Sequence, residues 1–580
     1  MNFNSVTHKD WELKSADNNR ILYLREKFSI SEILSRLLVL RNIDTKNIES
    51  FLKPEINKHL IDPNLLLDME KSVKLITDDI SENKITGIFG DYDVDGASAT
   101  AILIKFFNHI NHKYKFYIPD RVNEGYGPSK NTFKKLIDQK VSTIITVDCG
   151  TLSYEAIDFG NINNVNTIVI DHHQTESKLP KAFGLINPNR IGDNSNLNFL
   201  CATSLVFIFL IALDKELKKR NWYDNNRILA PNLTEMLDLV ALATICDVVP
   251  LVGINRYFVQ KGLSLIKEGK NIGLNAISEI CDLKSKPEEY HLGFLYGPRI
   301  NAGGRLGFSS YGAKLLSTND TETANHLTVK LNQLNDKRKK LENDYLELIY
   351  KFAENKKEDS VLVIHDDSLH EGIIGILAAR VKDRFNKPTI ILSGNGNILK
   401  ASARSIFGFN IGLEVLNLIE NKIIIKGGGH KMAAGFTIEK NKIIDLTKYL
   451  NEIFLKKMKK KIITDKISID AIISPSALNS SFYEEMNLMK PYGPGNSKPT
   501  FLIENLNVYK FKILNNKHIS SILVSKDKTY INAISFNSYG TLIHEYLMQK
   551  SKKLNLVGKL NLNEWGGKKN IQLIVDDIAI

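Results

Sequence analysis

Three short apolar segments of this chain run directly into carboxylates and imidazoles. Their letters are ITGIF, STIITV and NTIVI, and the residues that follow them are, in chain order, Asp91, Asp93 and Asp95, then Asp148, then Asp171, His172 and His173. Continuous apolar segments of this length are typical of strands buried on both faces in a parallel sheet. Ligands of such sheets gather at the carboxyl ends of the strands, so we expect these side chains to share one cleft.

A single aspartate after a strand is usually a helix N-cap or a turn residue, and any one of these aspartates can be interpreted that way. All three clusters together favour a common ligand instead. Carboxylates that lie close together repel one another, and divalent cations between them offset that repulsion. Carboxylates combined with imidazoles favour Mn²⁺ or Mg²⁺ over softer metals. Two such ions about 3.5–4 Å apart suit the hydrolysis of a phosphoester.

Asp247 is a further candidate ligand. It ends the apolar stretch EMLDLVALATICD, shortly before Pro250. From this stretch alone, an aspartate in a helix-terminal turn is an equally good interpretation.

The length of 580 residues predicts several domains. Changes of periodicity divide the chain into an N-terminal segment (1–79), an α/β region with a parallel sheet (80–320), a long amphipathic connector helix (321–358), a smaller α/β region (359–461) and a β-rich region (462–580). The last region predicts a small β-barrel or β-sandwich, most simply an OB-type barrel. The fold class is therefore α/β with a C-terminal barrel.

The composition fits a folded protein that handles a polyanion. The formal net charge is +12 although 65 acidic residues are present. The four cysteines have no metal-binding or disulfide-like spacing, so we expect reduced thiols in the cytoplasm. The polar N-terminus lacks the apolar stretch of a secretory signal. The stretch 199–213 is too short to span a membrane and predicts a buried core helix.

Ordered motifs give a more specific interpretation. GDYDVDG, VDCG, DHH and ATICDVVPL resemble the four motifs of the DHH phosphoesterase superfamily. YIPDRVNEGYG, GPRINAGGRLG, HEGIIGILAAR, SARS, GGGHKMAAGF and PYGPGNSKP extend the resemblance to a family of bacterial exonucleases that degrade single-stranded DNA from the 5′ end. The resemblance covers the chain from about residue 80 onward. It implies a DHH catalytic domain, a connector helix, a DHH-associated domain that binds substrate, and a C-terminal OB-fold that binds nucleic acid.

The resemblance also implies roles in a site with two metal ions. Asp148 would bridge the ions, and Asp95, His172 and Asp247 would complete one site. Asp93, with Asp91 nearby, would serve the other site. His173 is expected against the scissile phosphate, and Asp171 behind it, orienting the strand end or an imidazole.

The same resemblance implies which residues grip DNA. Arg121, Arg305, Ser402 and Arg404 correspond to positions that hold backbone phosphates, and guanidinium groups suit such contacts. The glycine-rich stretch 427–430, with Gly428, Gly429 and His430, is expected to form a loop that offers backbone amides to an anion. Taken singly, each arginine can equally be a surface ion-pair partner, and the glycines a plain turn.

Two features of the C-terminal half have open interpretations. Tyr492 or Trp565 could stack on bases in the barrel, although core or turn packing is the alternative for both. The basic stretch 456–461 could contact a DNA backbone or form a solvated helix face.

The expected partner is single-stranded DNA, and the family's usual role in recombination and repair adds a helicase and a single-strand-binding protein. We expect a cytoplasmic monomer without membrane contact. Relatives in the superfamily hydrolyse pyrophosphate, cyclic dinucleotides or short oligonucleotides, and a scaffold protein without catalysis is the alternative from another class. GGRLG (303–307) and CATSL (201–205) depart from the family pattern, which puts local packing in doubt but leaves the metal positions untouched.

Overall fold

The structure is a computed structural model that describes residues 3–55, 61–121, 123–283, 285–458, 466–549, 552–565 and 568–580. Residues 56–60 of the N-terminal segment lie outside the described residues, as do residues 459–461 of the basic stretch. The chain forms two compact units. One consists of Met1–Leu60, Pro250–Gln260 and Ile463–Ile580, and the other of Ile61–Val249 and Lys261–Ile462.

The strands, in chain order, are β1 Asp10–Leu13, β2 Thr86–Gly90, β3 Tyr114–Tyr117, β4 Thr143–Val147, β5 Asn166–Ile170, β6 Gly184–Ile186, β7 Leu362–Asp366, β8 Thr389–Ser393, β9 Ile398–Arg404, β10 Lys426–Gly429, β11 Ala433–Glu439, β12 Lys466–Ile469, β13 Ala471–Ile472, β14 Thr500–Leu514, β15 His518–Val524, β16 Tyr530–Ser535, β17 Leu554–Trp565 and β18 Lys568–Ala579.

The helices are α1 Asn18–Phe28, α2 Glu32–Leu40, α3 Ile48–Leu52, α4 Met69–Ser81, α5 Val94–His109, α6 Lys130–Ile137, α7 Tyr154–Ile162, α8 Ala202–Lys219, α9 Trp222–Asn226, α10 Leu237–Cys246, α11 Ile254–Glu268, α12 Ile272–Ile280, α13 Glu289–His291, α14 Gly297–Arg305, α15 Tyr311–Ser317, α16 Thr321–Asn355, α17 Ile374–Phe385, α18 Ile411–Glu420, α19 Ile443–Met458, α20 Ser480–Asn487 and α21 Leu542–Met548.

The predicted parallel sheet is confirmed. It has the order β3-β2-β4-β5-β6, and all neighbouring strands are parallel. Every residue of β2 and β4 is buried, as expected for strands covered on both faces. The stretch 199–213 contributes to the buried helix α8, as predicted. Among the described helices, none is long and apolar enough to cross a membrane.

The second sheet has the order β10-β11-β9-β8-β7, with one parallel pair, β7 and β8. The predicted loop at 427–430 is wrong for its glycines, since Gly427–Gly429 lie in the edge strand β10, antiparallel to β11. A Cβ atom on Gly429 would lie 2.5 Å from the Cα atom of Ala434. Glycine is therefore what lets this strand approach its neighbour so closely.

The connector helix is confirmed as α16, which begins after its N-cap Asp320. Leu327 and Leu331 are buried on its apolar face. The sequence did not indicate the buried acid on this helix: Glu342 accepts hydrogen bonds from Arg338 and from Arg380, both 2.8 Å long. This network attaches α16 to α17.

The predicted barrel is confirmed in the C-terminal region. Strands β14, β15, β16, β18 and β17 pair in that order, and β17 closes the barrel by pairing with β14. Tyr492 packs against the barrel core and donates to the carbonyl oxygen of Met486, which supports the packing interpretation for this residue. The side chain of Trp565 lies outside the described residues.

The N-terminal residues belong to the same unit as the barrel. Strand β1 pairs in parallel with β12, and the indole Nε1 of Trp11 donates to Oδ2 of Asp577, 2.8 Å away. Helices α1 and α2 bury Leu24 and Leu34 in the same hydrophobic cluster as the barrel strands. The N-terminal residues thus add one strand and two helices to the unit that contains the barrel.

Candidate active site

The carboxylates at the strand ends are held by local structure. Asp93 is the N-cap of α5 and accepts a hydrogen bond from the amide of Gly96. Asp148 follows β4 with a φ of 59°, a left-handed conformation that aspartate tolerates better than most residues. The N-cap interpretation is therefore correct for Asp93 without excluding a role as a ligand, because one of its carboxylate oxygens remains for another partner.

Eight predicted site residues converge at this edge of the sheet. Their ligand atoms form three groups, each within 4.8 Å: Asp91, Asp93 and Asp148; Asp95, His172 and Asp247; and Asp148, His172 and His173. Asp171 lies behind them. Asp148 and His172 each belong to two groups, and Nε2 of His172 lies 3.4 Å from Oδ1 of Asp148.

Several carboxylate oxygens in this cluster accept no hydrogen bond from the described residues. Oδ1 of Asp91, Oδ1 of Asp148 and Oδ2 of Asp247 are buried, and none has a hydrogen bond within the described part of the chain. Burial of an unpaired carboxylate oxygen is costly unless a cation compensates it. The donor set of carboxylates and imidazole fits hard divalent cations.

The electrostatics of the cluster agree with that fit. Burial, together with the neighbouring carboxylate of Asp93, raises the pKa of both Asp91 and Asp148 well above the ordinary value. Burial and the nearby charges of Asp95 and Asp93 raise the pKa of Asp247 to about 9. The surrounding protein therefore disfavours the ionised form of these carboxylates, which is the form that binds a metal. Divalent cations would compensate their negative charge.

Asp171 organises the end of strand β5. It accepts hydrogen bonds from the amides of His172, His173 and Thr151, and from Nδ1 of His173 at 2.7 Å. Burial alone would raise the pKa of Asp171, but the bonds and positive charge from His173 outweigh it and hold the pKa well below the ordinary value. His173 is thereby fixed in one orientation beside the cluster, with 39% of its side chain exposed.

Asp95 is held by a helix that is distant in sequence. The amides of Ala202 and Thr203, at the start of α8, donate to its carboxylate at 2.7 and 2.8 Å. The hydroxyl oxygen Oγ1 of Thr203 lies 2.6 Å from Oδ1 of Asp95. The N-terminus of α8 therefore holds the carboxylate of Asp95 in place through two backbone amides and one hydroxyl group.

The predicted DNA-gripping arginines also lie close together. The guanidinium of Arg121 lies 5.2 Å from the ring centroid of Tyr92, and Nη1 of Arg305 donates to the carbonyl oxygen of Gly372. Burial, then the charges of Arg121 and other arginines, lower the pKa of Arg305 to about 10. In the described residues, Arg121, Arg305 and Arg404 form no ion pair with a carboxylate.

Ser402 and His430 border the same region. Nη1 of Arg404 donates to Oγ of Ser402, 3.2 Å away. Burial and the charges of His173 and His172 lower the pKa of His430. The structure thus brings residues of the first and second sheets to one side of the carboxylate cluster.

Three family models match the chain: the DHH family N-terminal domain over residues 85–244, the DHHA1 domain over 358–456 and the RecJ OB domain over 469–577. The single-stranded-DNA-specific exonuclease RecJ of Haemophilus influenzae is 30% identical over 98% of this chain and 99% of its own length. The chain belongs to the RecJ family. The RecJ of Bacillus subtilis is 29% identical over 98% of this chain and 71% of its own length.

Solved RecJ structures agree with this fold. RecJ from Thermus thermophilus, in complex with Mn²⁺, superposes with a TM-score of 0.80 at 22% identity and covers 99% of this chain and 80% of its own. An exonuclease RecJ bound to manganese has a TM-score of 0.58 at 26% identity, over 70% of this chain and all of its own. Family membership and the DHH domain confirm that the chain is a metal-dependent nuclease, a hydrolase.

Sequence reasoning missed several residues that support the site. The hydroxyl of Tyr126 donates to the carbonyl oxygen of Asp148 at 3.1 Å, and its ring meets the edge of His173. Gly304 packs against Tyr92, since a Cβ atom there would lie 2.9 Å from Cβ of Tyr92. The stretches CATSL and GGRLG contain Thr203 and Gly304. The expectation that their departures leave the metal positions untouched is wrong for CATSL, because Thr203 donates to the carboxylate of Asp95.

Proposed function

We propose that the protein is an exonuclease that degrades single-stranded DNA from the 5′ end with two Mn²⁺ or Mg²⁺ ions, in DNA recombination and repair. The observation that carries this proposal is the position of Asp148, whose carboxylate belongs to two ligand groups. A shared carboxylate is what places two cations close enough to act on one phosphate.

The assignment of ligands follows two of the groups, with Asp148 shared between the ions as the resemblance implies. Asp91, Asp93 and Asp148 would hold one ion, and Asp95, His172, Asp247 and the shared Asp148 the other. Two divalent ions between these groups would activate water and stabilise the attacking and leaving oxygens of a phosphodiester. The chain's own residues then have distinct tasks: Asp171 orients His173, and α8 orients Asp95.

His173 is the residue that we place against the scissile phosphate. Burial alone would lower its pKa, but the hydrogen bond and charge of Asp171 outweigh burial and raise the pKa to about 9. An imidazolium at neutral pH can donate to a phosphate oxygen and stabilise its developing charge.

The polarity is proposed from the arginines. Three guanidinium groups carry positive charge here, those of Arg121, Arg305 and Arg404, and none of them forms an ion pair with a carboxylate in the described residues. Ser402 lies beside Arg404. Such a cluster beside a hydrolytic centre suits a terminal phosphate, because guanidinium binds phosphate in a bidentate manner. Gly428 and Gly429 on the edge strand β10, and the imidazole of His430 after it, would offer further contacts to the same phosphate, since the amide of His430 already donates to the carbonyl oxygen of Ala433.

The barrel is expected to hold the rest of a single strand. Tyr509 on β14 and Tyr530 on β16 are both exposed, and their ring centroids are 5.2 Å apart. These two rings, rather than Tyr492, are suited to base stacking. We also propose that the protein is a cytoplasmic monomer. Its proposed partners are a helicase and a single-strand-binding protein.

The test compares oligonucleotides blocked at the 5′ or the 3′ end. With Mn²⁺, we expect nucleotide release from the 3′-blocked single strand and none from the 5′-blocked strand or a cyclic dinucleotide. Asp148→Asn should abolish release, because one carboxylate serves both ions. Asp138→Asn is the matched control, since Asp138 is an exposed acid paired with Lys134 on the surface. Release from the opposite end, or full activity of Asp148→Asn, would refute the proposal.

A further inference from the structure

Two aromatic rings stack on each other at the protein surface. The ring centroids of Tyr290 and Phe294 are 4.7 Å apart and their planes differ by 19°. Tyr290 is 61% and Phe294 65% exposed. Large apolar rings usually lie against the core, so a stacked pair that leaves this much of its surface in solvent is suited to binding a flat partner.

The pair is built on an unusual turn beside the metal ligands. Phe294 lies in the π-helical turn Leu292–Tyr296, a type of helix irregularity that occurs frequently at functional sites. This turn packs on the end of α10, where Sγ of Cys246 donates to the carbonyl oxygen of Leu292 at 3.3 Å. The next residue of the chain is Asp247, a proposed metal ligand. The turn that carries Phe294 is therefore attached to the helix end that precedes a proposed metal ligand.

Helix α14 connects this turn with the arginine cluster. Its nine residues begin directly after the π-helical turn and end at Arg305, which gives a length of about 13 Å. The proposed phosphate grip thus lies at one end of α14 and the aromatic pair at the other. All residues of α14 are buried or half-buried, so this helix sets the separation between Arg305 and the aromatic pair and is not itself a surface for DNA.

We propose that Tyr290 and Phe294 form a stacking platform for bases of single-stranded DNA on the 3′ side of the scissile bond. This inference rests on the proposed function. Each nucleobase has a π face, so a platform of this kind holds any sequence. The platform binds bases and leaves the backbone to the arginines.

The test measures KM and kcat on a long 5′-phosphorylated single strand. We expect the double variant Tyr290→Ala/Phe294→Ala to raise KM about tenfold with little change in kcat, because stacking contributes to binding rather than to the chemical step. The aromatic exchange Tyr290→Phe/Phe294→Tyr should keep KM near the wild-type value. Ile162→Ala, which removes an exposed apolar side chain on α7, is the matched control.

A strand whose nucleotides beyond the 5′ end are abasic separates stacking from a structural effect. We expect the wild type to bind this strand as weakly as the alanine variant does, and the variant to bind both strands equally. Fluorescence anisotropy without metal gives the same comparison independently of turnover. The platform would be overturned if wild type and the alanine variant bound the normal strand with equal affinity. It would also be overturned if the substitution weakened binding to the abasic strand as much as binding to the normal strand. Wild-type inactivity with normal strand binding would refute the proposed function instead.

Discussion

Replacement of Thr203 by valine removes the hydroxyl group that donates a hydrogen bond to the buried carboxylate of Asp95. Valine keeps the shape of the threonine side chain. The hydroxyl oxygen of Thr203 lies 2.6 Å from Oδ1 of Asp95, and the carboxylate keeps the two amide donors of Ala202 and Thr203 after the substitution. A hydrogen bond to a charged group contributes about 1.5–3 kcal/mol. The substitution thus removes one of the interactions that orient Asp95 toward the second ion.

We expect the Mn²⁺ affinity of Thr203→Val to fall about 30-fold, which corresponds to about 2 kcal/mol. The assay is a Mn²⁺ titration of nuclease activity, supported by calorimetry of Mn²⁺ binding. Saturating Mn²⁺ should restore most of the turnover, because the ligand itself is still present. Thr77→Val is the matched control: its hydroxyl is buried on α4 and donates to the carbonyl oxygen of Val73. A wild-type Mn²⁺ dependence of Thr203→Val would refute the reasoning.

Two further substitutions test the packing of the site and of the sheet. Gly304→Ala places a Cβ atom 2.9 Å from Tyr92, so kcat should fall several-fold, while Gly396→Ala, with no atom within 4 Å of the added Cβ, should keep wild-type kcat. Burial lowers the pKa of His112 from 6.5 to about 4, so the unfolded chain takes up this proton at higher pH than the folded protein. The contribution of His112 to the free energy of unfolding should be present above about pH 6.5. From pH 7 to pH 5 this contribution should fall by about 2 kcal/mol. In urea unfolding, His112→Gln, whose amide can still reach Thr86, should lose less stability over this range, and an unchanged pH dependence would contradict the assignment.

The parallel sheet and its acidic edge were predictable because each signal is local. An apolar run followed at once by Asp91, Asp148 or Asp171 indicates a strand and the side of the sheet where it ends. Parallel pairing then brings these ends together whatever the length of the intervening chain. Asp247 was not predictable in this way, because from its own stretch an aspartate in a helix-terminal turn was an equally good interpretation and only the resemblance assigned it to the site.

Other features depend on contacts that no local pattern indicates. Asp95 meets Ala202 across 107 positions of sequence, so the helix that holds it could not be read from either segment. Glycines carry no strand signal, which is why the edge strand at Gly427–Gly429 was predicted as a loop. The packing of Tyr492 depends on residues of the barrel core, and a tyrosine alone does not reveal which of its faces is covered.

Anomalous diffraction from crystals of the protein soaked in Mn²⁺ tests the central claim most directly. We expect two Mn²⁺ peaks about 3.5–4 Å apart on either side of the Asp148 carboxylate, one near Asp91 and Asp93 and the other near Asp95, His172 and Asp247. A single peak at full occupancy, or peaks away from Asp148, would contradict the two-ion account.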